Sequence, residues 1–274
     1  MYKLIASDLD ETLLKADGSI SAENVMAIKA AVARGVKFVP TTGRNFQTVQ
    51  RLLRKLDLEQ QPNEYVISFN GGATVENAGN RVILSNGLTF DQAQRVFEVF
   101  AQFETADIHV YTLDDIYIYR ILDDDREYMR TRHVSYHEMA ELDFSIFTDQ
   151  TIIKIIAMHP DRVVQVQMHD ALKKALGNTI NCTYSSGLYV EVNQAGVDKG
   201  RAVLALAASL GIKPAEVIAF GDNFNDLTML KAAGTGVAVA NGIPEIKAVA
   251  DYITTADYST GVAEAINKLV LTGN

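Results

Sequence analysis

Two aspartates separated by a single residue follow the first apolar stretch of the chain. They are Asp8 and Asp10, in the sequence DLDETL. Residues i and i+2 of an extended segment point to the same side, so both carboxylates can serve one site. Such a pair suits a hard cation such as Mg²⁺, and one carboxylate can attack phosphorus while the other transfers a proton. A turn with an acidic helix cap is the alternative interpretation.

A hydroxyl group stands beside a glycine after the second apolar stretch, in the sequence TTGR at 41–44. Because Gly43 has no side chain, the Thr42 hydroxyl and bare backbone N–H groups can both approach a phosphate oxygen. The motif is weak alone, since Thr42 could equally cap a helix.

A lysine opens a helical pattern in the sequence VDKG at 197–200, where Asp198 is a plausible N-cap. The N-terminus of a helix favours anions, so Lys199 in the first turn opposes the helix dipole. That mismatch is typical of a lysine that clamps phosphate, although a solvated surface lysine is the alternative.

Acidic and amide side chains follow a later apolar stretch, in the sequence GDNFND at 221–226. Asp222 and its neighbours could ligate a cation at a strand end. An Asx-rich turn that caps a helix is the alternative.

The four segments together indicate one site more strongly than any of them alone. The first, second and fourth each directly follow an apolar strand pattern. In a parallel sheet the carboxyl ends of the strands meet at one edge, where such folds bind ligands. An acidic pair, a hydroxyl, a lysine and a second acidic cluster at that edge predict a Mg²⁺-assisted attack on a phosphate ester.

The four motifs, in this order and spacing, resemble those of the Cof-type branch of the haloacid dehalogenase superfamily, across essentially the whole chain. The resemblance implies a Mg²⁺-dependent phosphatase that forms an aspartyl-phosphate on Asp8. Asp10 would be the general acid and base. The expected metal ligands are Asp8, the main-chain carbonyl of Asp10, and Asp222, with Asp226 as a supporting acid.

The resemblance also implies a set of groups that contact the phosphate of the substrate. These positions are the backbone of Leu9 and the residues Thr42, Gly43, Lys199 and Asn225. One departure from the family pattern is Glu11, where glycine is usual, and it places loop flexibility and substrate fit in doubt.

The elements that position these motifs alternate between strand and helix in both terminal parts of the chain. Apolar strand patterns at 2–7, 36–39, 65–69, 217–220 and 236–240 are separated by amphipathic helical patterns. This alternation predicts an α/β fold with a parallel-sheet core, and the resemblance implies that the core is Rossmann-like. Pro40 fits a strand end if its missing N–H is not needed there.

The middle of the chain has a different pattern, with strands that neighbour each other in sequence and therefore favour antiparallel pairing. We predict an inserted α+β domain at 82–190 and a core domain formed by 1–81 and 191–274, and the resemblance implies that the insert is a cap domain. Within the insert, His109, Tyr117 and Tyr119 are candidate specificity residues, although strand packing is the favoured interpretation.

Composition narrows the classes of partner. The chain has 274 residues and a net charge of −9, which disfavours nucleic-acid binding. A lone cysteine, Cys182, and the absence of an apolar run of membrane-spanning length predict a cytoplasmic protein without a membrane partner. We expect a small phosphorylated metabolite as its partner, and a monomer or small homo-oligomer.

Several other patterns receive structural interpretations. His133 and His137 have the spacing of one helical face, but no third metal ligand is evident. The acidic run at 123–125 predicts the exposed start of a helix. Cys182 lies in a strand pattern, which predicts a position in the core. The sequence Asn-Gly-Gly at 70–72 predicts a turn, and the resemblance implies a position near the cap hinge, at the border of the substrate site.

Three functions fit these motifs. A phosphomonoester hydrolase with sugar phosphates as favoured substrates is the leading hypothesis. A phosphotransferase could use the same intermediate, and the motifs do not separate the two. A non-enzymatic phosphate-binding or signalling module is disfavoured, since receiver-type domains are shorter and lack an inserted domain.

Overall fold

The computed structural model describes residues 1–131, 134–141, 143–185 and 187–272. The chain forms two compact units. One contains Met1–Leu84 and the chain from Asp198 onward, and the other is Ser85–Val197. The sequence had placed an insert at 82–190, and its role as a cap stays a prediction.

The N-terminal segment begins the larger unit. Its elements are β1 (Leu4–Ser7), α1 (Ala22–Ala33), β2 (Lys37–Pro40), α2 (Gln50–Lys55), β3 (Tyr65–Ser68), β4 (Ala73–Glu76) and β5 (Arg81–Ser85). The Ser21 side chain accepts a hydrogen bond from Asn24 N and so begins α1. Helix α1 is followed by Gly35, whose φ of 82° suits glycine.

The second unit is built around a six-stranded sheet. Its elements are α3 (Phe90–Ala101), β6 (Asp107–Thr112), β7 (Ile116–Tyr119), α4 (Asp123–Thr131), β8 (His137–Met139), β9 (Ile152–Met158), α5 (Arg162–Leu176), β10 (Ile180–Ser185) and β11 (Tyr189–Gln194). The strand order is β10-β11-β9-β6-β7-β8. Four pairs are antiparallel, as the neighbouring strand patterns predicted, and β7 pairs with β8 in parallel.

Alternation along β6 separates two kinds of side chain. Ile108 and Val110 belong to the apolar core of this unit, together with Phe97 of α3 and Met168 of α5. The intervening residues therefore point to the opposite face of the sheet.

The C-terminal segment returns to the larger unit. Its elements are α6 (Lys199–Ser209), β12 (Val217–Gly221), α7 (Leu227–Ala232), β13 (Thr235–Ala238), α8 (Pro244–Lys247), β14 (Tyr252–Ile253) and α9 (Gly261–Ala265). Helix α9 continues as a π-helix, Ile266–Leu271.

The larger unit contains a five-stranded sheet in the order β14-β13-β12-β1-β2, in which every neighbouring pair is parallel. The residues of β1 and β12 are all buried, as expected for strands covered on both faces. The predicted α/β class with a parallel-sheet core is confirmed.

One strand departs from the predicted arrangement. β3 was expected in the parallel sheet, but it pairs antiparallel with β4 in a separate three-stranded sheet with β5. A single bridge between Thr41 and Ile67 continues from the β2 end to β3. Neither β4 nor β5 was predicted, since strands of four and five residues are too short for a pattern to identify them alone.

Three minor predictions have different outcomes. His137 lies on β8 rather than on a helix, and His133 lies outside the described residues. The acidic run does begin α4, but Asp125 is fully buried, so the expectation of exposure is wrong for that residue. Cys182 is only partly buried at the edge of the apolar core.

No helix among the residues that the structure describes has both the length and the apolar character needed to cross a membrane.

Candidate active site

Three chain segments leave the parallel sheet at the same edge. Ser7 pairs with Phe220 of β12 on one side and with Pro40 of β2 on the other. The residues that follow these strand ends, Asp8, Asp222 and the threonines after β2, therefore lie at the same height along the sheet. Asp8 N donates to Phe220 O at 3.0 Å, and Thr41 N donates to Ser7 O at 2.8 Å. The missing N–H of Pro40 removes no hydrogen bond to β1, because the N–H of Thr41 donates to Ser7 O instead. This register gathers the motifs at the carboxyl ends of the strands.

A buried lysine lies between two aspartates at this edge. Lys199 Nζ lies 2.5 Å from Asp8 Oδ1 and 2.6 Å from Asp226 Oδ1. Lys199 is fully buried, so the alternative of a solvated surface lysine is wrong. Burial alone would lower the pKa of Lys199, but the carboxylates of Asp226 and Asp8 outweigh it, so the pKa is raised and the ammonium stays charged.

The start of α6 explains how this lysine reaches the sheet edge. The Asp198 side chain accepts a hydrogen bond from Arg201 N at 2.9 Å and caps the helix. A Cβ at Gly200 would lie 2.4 Å from the main-chain oxygen of Thr228. Only glycine permits this approach of the two chain segments, which holds the first turn of α6 beside the site.

Asp226 supports the site with both of its carboxylate oxygens. Oδ1 contacts Lys199, whereas Oδ2 accepts hydrogen bonds from Asp222 N at 3.0 Å and Asn223 N at 3.1 Å. A Cβ at Gly221 would lie 2.4 Å from Asp226 Cβ, so this glycine leaves the room that Asp226 occupies. Because its oxygens already have partners, Asp226 orients the loop rather than offering a free ligand.

Asp222 is held by a residue to which the sequence had assigned no role. The buried hydroxyl of Thr12 donates to Asp222 Oδ1 at 2.5 Å. Burial raises the pKa of Asp222 to about 6, and the Thr12 hydrogen bond opposes this shift. Thr12 lies four residues beyond Asp8 in the same motif. Its place in the first motif was the one sequence feature that could have pointed to Thr12 as a residue of the site.

The carboxylates at this edge carry more negative charge than the lysine neutralises. Ligand atoms of Asp8, Asp222 and Asp226 lie within 4.8 Å of one another, and all three residues are buried. Burial raises the pKa of Asp8 above its ordinary value, and the Asp226 carboxylate adds to the shift. Three buried carboxylates beside one ammonium fit a hard divalent cation, which carboxylate oxygens favour.

Asp10 lies apart from this buried cluster. Its exposed carboxylate pairs with Arg44, whose Nε donates to Oδ2 at 2.8 Å while Nη2 contacts Oδ1. Arg44 is the last residue of the sequence TTGR, and no role was predicted for it. A bidentate guanidinium–carboxylate pair fixes the orientation of the Asp10 side chain.

The predicted phosphate-binding residues of the second motif lie beside Asn70. Thr42 is buried, and its hydroxyl accepts a hydrogen bond from Arg44 N at 3.1 Å. A Cβ at Gly43 would lie 3.2 Å from Asn70 Oδ1, and the same oxygen accepts a hydrogen bond from Asn225 Nδ2 at 3.3 Å. Asn70 adopts a φ of 56°. Gly43 and Asn225 therefore both lie against this one side chain.

The loop after β1 is closed by Leu9, which is buried and whose main-chain oxygen accepts hydrogen bonds from Leu13 N and Leu14 N. Within this loop Glu11 has a φ of 60°, in the left-handed region. That conformation gives a physical reason for glycine at this position in the family pattern.

Residues 5–266 match the haloacid dehalogenase-like hydrolase family. The chain belongs to the haloacid dehalogenase-like hydrolases. Bacillus subtilis (strain 168) YxeH, which carries a phosphatase assignment, is 35% identical, with 99% of each chain covered. The 5-amino-6-(5-phospho-D-ribitylamino)uracil phosphatase YcsE of the same organism is 30% identical over 98% of this chain and 96% of its own length.

A solved haloacid dehalogenase-like hydrolase from Bacteroides thetaiotaomicron has the same fold, with a TM-score of 0.86 and 28% identity. The match covers 98% of this chain and 100% of that one. This haloacid dehalogenase-like hydrolase is therefore a phosphatase of the Cof type, as the motifs predicted. The alternative hypothesis of a non-enzymatic signalling module is therefore wrong.

Proposed function

We propose that this phosphatase is a Mg²⁺-dependent phosphomonoester hydrolase that acts on a small phosphorylated metabolite, with sugar phosphates favoured. The observation that supports this proposal best is the buried contact of Asp8 with Lys199 beside Asp222. A buried carboxylate that is oriented by a cation can approach phosphorus, whereas two free anions would repel each other. The name of YcsE also refers to a small phosphorylated metabolite as its substrate.

In the first step, an Asp8 oxygen forms a bond to phosphorus and the bond from phosphorus to the leaving oxygen breaks. Asp10 gives its proton to that oxygen, and the product alcohol leaves. In the second step, water attacks the aspartyl-phosphate and Asp10 takes a proton from it. The bond from phosphorus to Asp8 then breaks, so phosphate and a free carboxylate are restored.

The remaining residues stabilise charge and orient groups. Asp8, Asp222 and the main-chain carbonyl of Asp10 would hold Mg²⁺, which supplies positive charge to the phosphoryl oxygens. Lys199 neutralises the same oxygens, while Thr42, Gly43, Asn225 and the backbone of Leu9 contact them.

The nucleophile assignment is tested with p-nitrophenyl phosphate. We expect the purified protein to hydrolyse this substrate only when Mg²⁺ is present. In Asp8→Asn the rate of hydrolysis should fall by at least about 1,000-fold. Asp149→Asn is a matched control, because Asp149 is an exposed aspartate of the second unit. Undiminished turnover by Asp8→Asn, with the control unchanged, would refute the role of Asp8.

A second experiment separates hydrolysis from phosphoryl transfer. A panel of phosphorylated metabolites is incubated with the enzyme, with and without a sugar acceptor, and free phosphate is measured. We expect stoichiometric phosphate release in both cases. Phosphate that appears on the sugar instead would favour the phosphotransferase.

A further inference from the structure

Three buried side chains converge in the second unit. Asp107 and His109 lie on the same face of β6, and Asp125 lies in the first turn of α4. All three residues are 0% exposed, and one ligand atom from each lies within 4.8 Å of the others. None of them belongs to the candidate active site.

The imidazole of His109 faces both carboxylates through one nitrogen. His109 Nε2 lies 3.3 Å from Asp107 Oδ1 and 2.5 Å from Asp125 Oδ2. Apart from these contacts within the cluster, neither Nε2 nor Asp125 Oδ2 has a hydrogen-bond partner, and both atoms are buried. Buried polar atoms without hydrogen bonds are uncommon, and these two point into the same cluster.

Other groups hold the carboxylates in place. Asp107 Oδ1 and Oδ2 accept hydrogen bonds from Met158 N at 3.3 Å and Leu122 N at 3.2 Å, respectively. The Tyr189 hydroxyl donates to Asp125 Oδ1 at 2.6 Å. Partners of this kind orient the ligands of protein metal sites, and here they leave Asp125 Oδ2 directed at His109.

A cation would balance the charge of the cluster when both aspartates are ionised. Across the described part of the chain, no lysine or arginine pairs with Asp107 or Asp125. Burial raises the pKa of Asp107 and would lower that of His109, but the two aspartates raise the pKa of His109, so the alternative to a cation is a neutral Asp107 beside a protonated His109. A dication bound by two carboxylates and a neutral imidazole leaves no net charge, which reduces the cost of burial.

We propose that Asp107, His109 and Asp125 form a binding site for a divalent transition metal of the Zn²⁺ class, which ties β6 to α4. Mixed imidazole and carboxylate ligands are typical of Zn²⁺ and its neighbours, whereas Mg²⁺ prefers oxygen ligands alone. The 3.3 Å separation suits two ligands of one ion, and the 2.5 Å contact must lengthen when the ion binds.

The test uses the full chain with Asp222→Asn, which weakens cation binding at the candidate active site. After treatment with chelator, the protein is titrated with Zn²⁺ by calorimetry, and Co²⁺ is followed by its visible absorption. We expect about one Zn²⁺ per chain, a Co²⁺ spectrum with imidazole and carboxylate ligands, and a higher Tm with Zn²⁺. His109→Gln and Asp125→Asn should each abolish all three signals.

Two further variants keep the test decisive. Tyr189→Phe removes the hydroxyl that orients Asp125 but no ligand, and it should weaken Zn²⁺ binding roughly 10- to 100-fold while the protein stays folded. His137→Gln changes an exposed histidine 3.3 Å from Asp115, and it should bind Zn²⁺ like the parent protein.

Two results would overturn the proposal. One is Zn²⁺ binding that survives in folded His109→Gln and Asp125→Asn. The other is the absence of Zn²⁺ binding in the parent protein together with ¹⁵N NMR shifts of a doubly protonated His109 ring. In the second case a proton, rather than a metal ion, balances the carboxylates.

Discussion

Lys199 Nζ and Asp8 Oδ1 lie 2.5 Å apart, although 191 positions separate the two residues in the chain. Both groups are withdrawn from water, so their attraction is screened far less than that of a surface pair. The pair links the first and third motifs and sets the direction of the proposed nucleophile.

Replacement of this lysine tests the electrostatic role of the pair. In Lys199→Met, Asp8 and Asp226 lose their shared cation, so phosphatase activity should fall at least about 100-fold. The free energy of unfolding should fall by about 3–5 kcal/mol, because two buried carboxylates remain unpaired. Kinetics and denaturant unfolding measure both effects. Lys231→Met, at an exposed position of α7, is the control, and wild-type activity in Lys199→Met would contradict the assignment.

Thr12 is expected to tune the cation site through Asp222. Thr12→Val keeps the shape of the side chain but removes the hydroxyl that donates to Asp222 Oδ1. Because that bond opposes the raised pKa of Asp222, its loss should favour the protonated acid, which binds a cation poorly. The Mg²⁺ concentration for half-maximal activity should rise about 10-fold. Thr12→Ser should behave like the parent, and an unchanged Mg²⁺ requirement in Thr12→Val would argue against this role.

Glu11 carries backbone strain that glycine would relieve. Its φ of 60° is unfavourable for a residue with a Cβ, and its contact with Asn241 uses only the main-chain oxygen. Glu11→Gly should therefore raise the free energy of unfolding by up to about 1 kcal/mol. Glu11→Ala removes the same charge but keeps the Cβ. Equal stability of the two variants would show that the charge, rather than φ, matters.

Glu264 should make stability depend on pH in the acid range. Partial burial acts to raise its pKa, but hydrogen bonds from Thr255, Tyr252 and Ala256 lower it to about 2, against an ordinary value of 4.5. A lowered folded-state pKa stabilises the protein above about pH 4.5, and this contribution is lost as the pH falls toward 2.

The free energies of unfolding of Glu264→Gln and the parent, compared at pH 7 and pH 3, measure this contribution. We expect the variant to be less stable by on the order of 1–2 kcal/mol at pH 7, and by less at pH 3. Glu245→Gln, at an exposed position of α8, should show no such dependence. A deficit that grows toward low pH would reverse the sign and exclude this explanation.

Local patterns predicted much of the fold because short apolar strands and capped helices are encoded over a few neighbouring residues. The Ile-Tyr-Ile-Tyr sequence of β7 and the capping side chains of Ser21 and Asp161 at the starts of α1 and α5 are local signals of this kind. β4 and β5 were missed because pairing with neighbouring strands, β4 with β3 and β5 with β4, stabilises them more than their own patterning does. Asp125 looked like a surface residue because three adjacent acids normally lie in water.

The sequence by itself determined the chemistry of the candidate site: which carboxylates, hydroxyl and lysine follow which strand ends. In a parallel sheet the carboxyl ends of the strands lie at one edge, so the alternating pattern also predicted that these groups meet there. Only the tertiary structure decided that Lys199 is buried against Asp8 and Asp226, that Thr12 holds Asp222, and that His109 faces two aspartates. Those contacts depend on the register between distant segments and on the packing of α4 and α6, which no local pattern specifies.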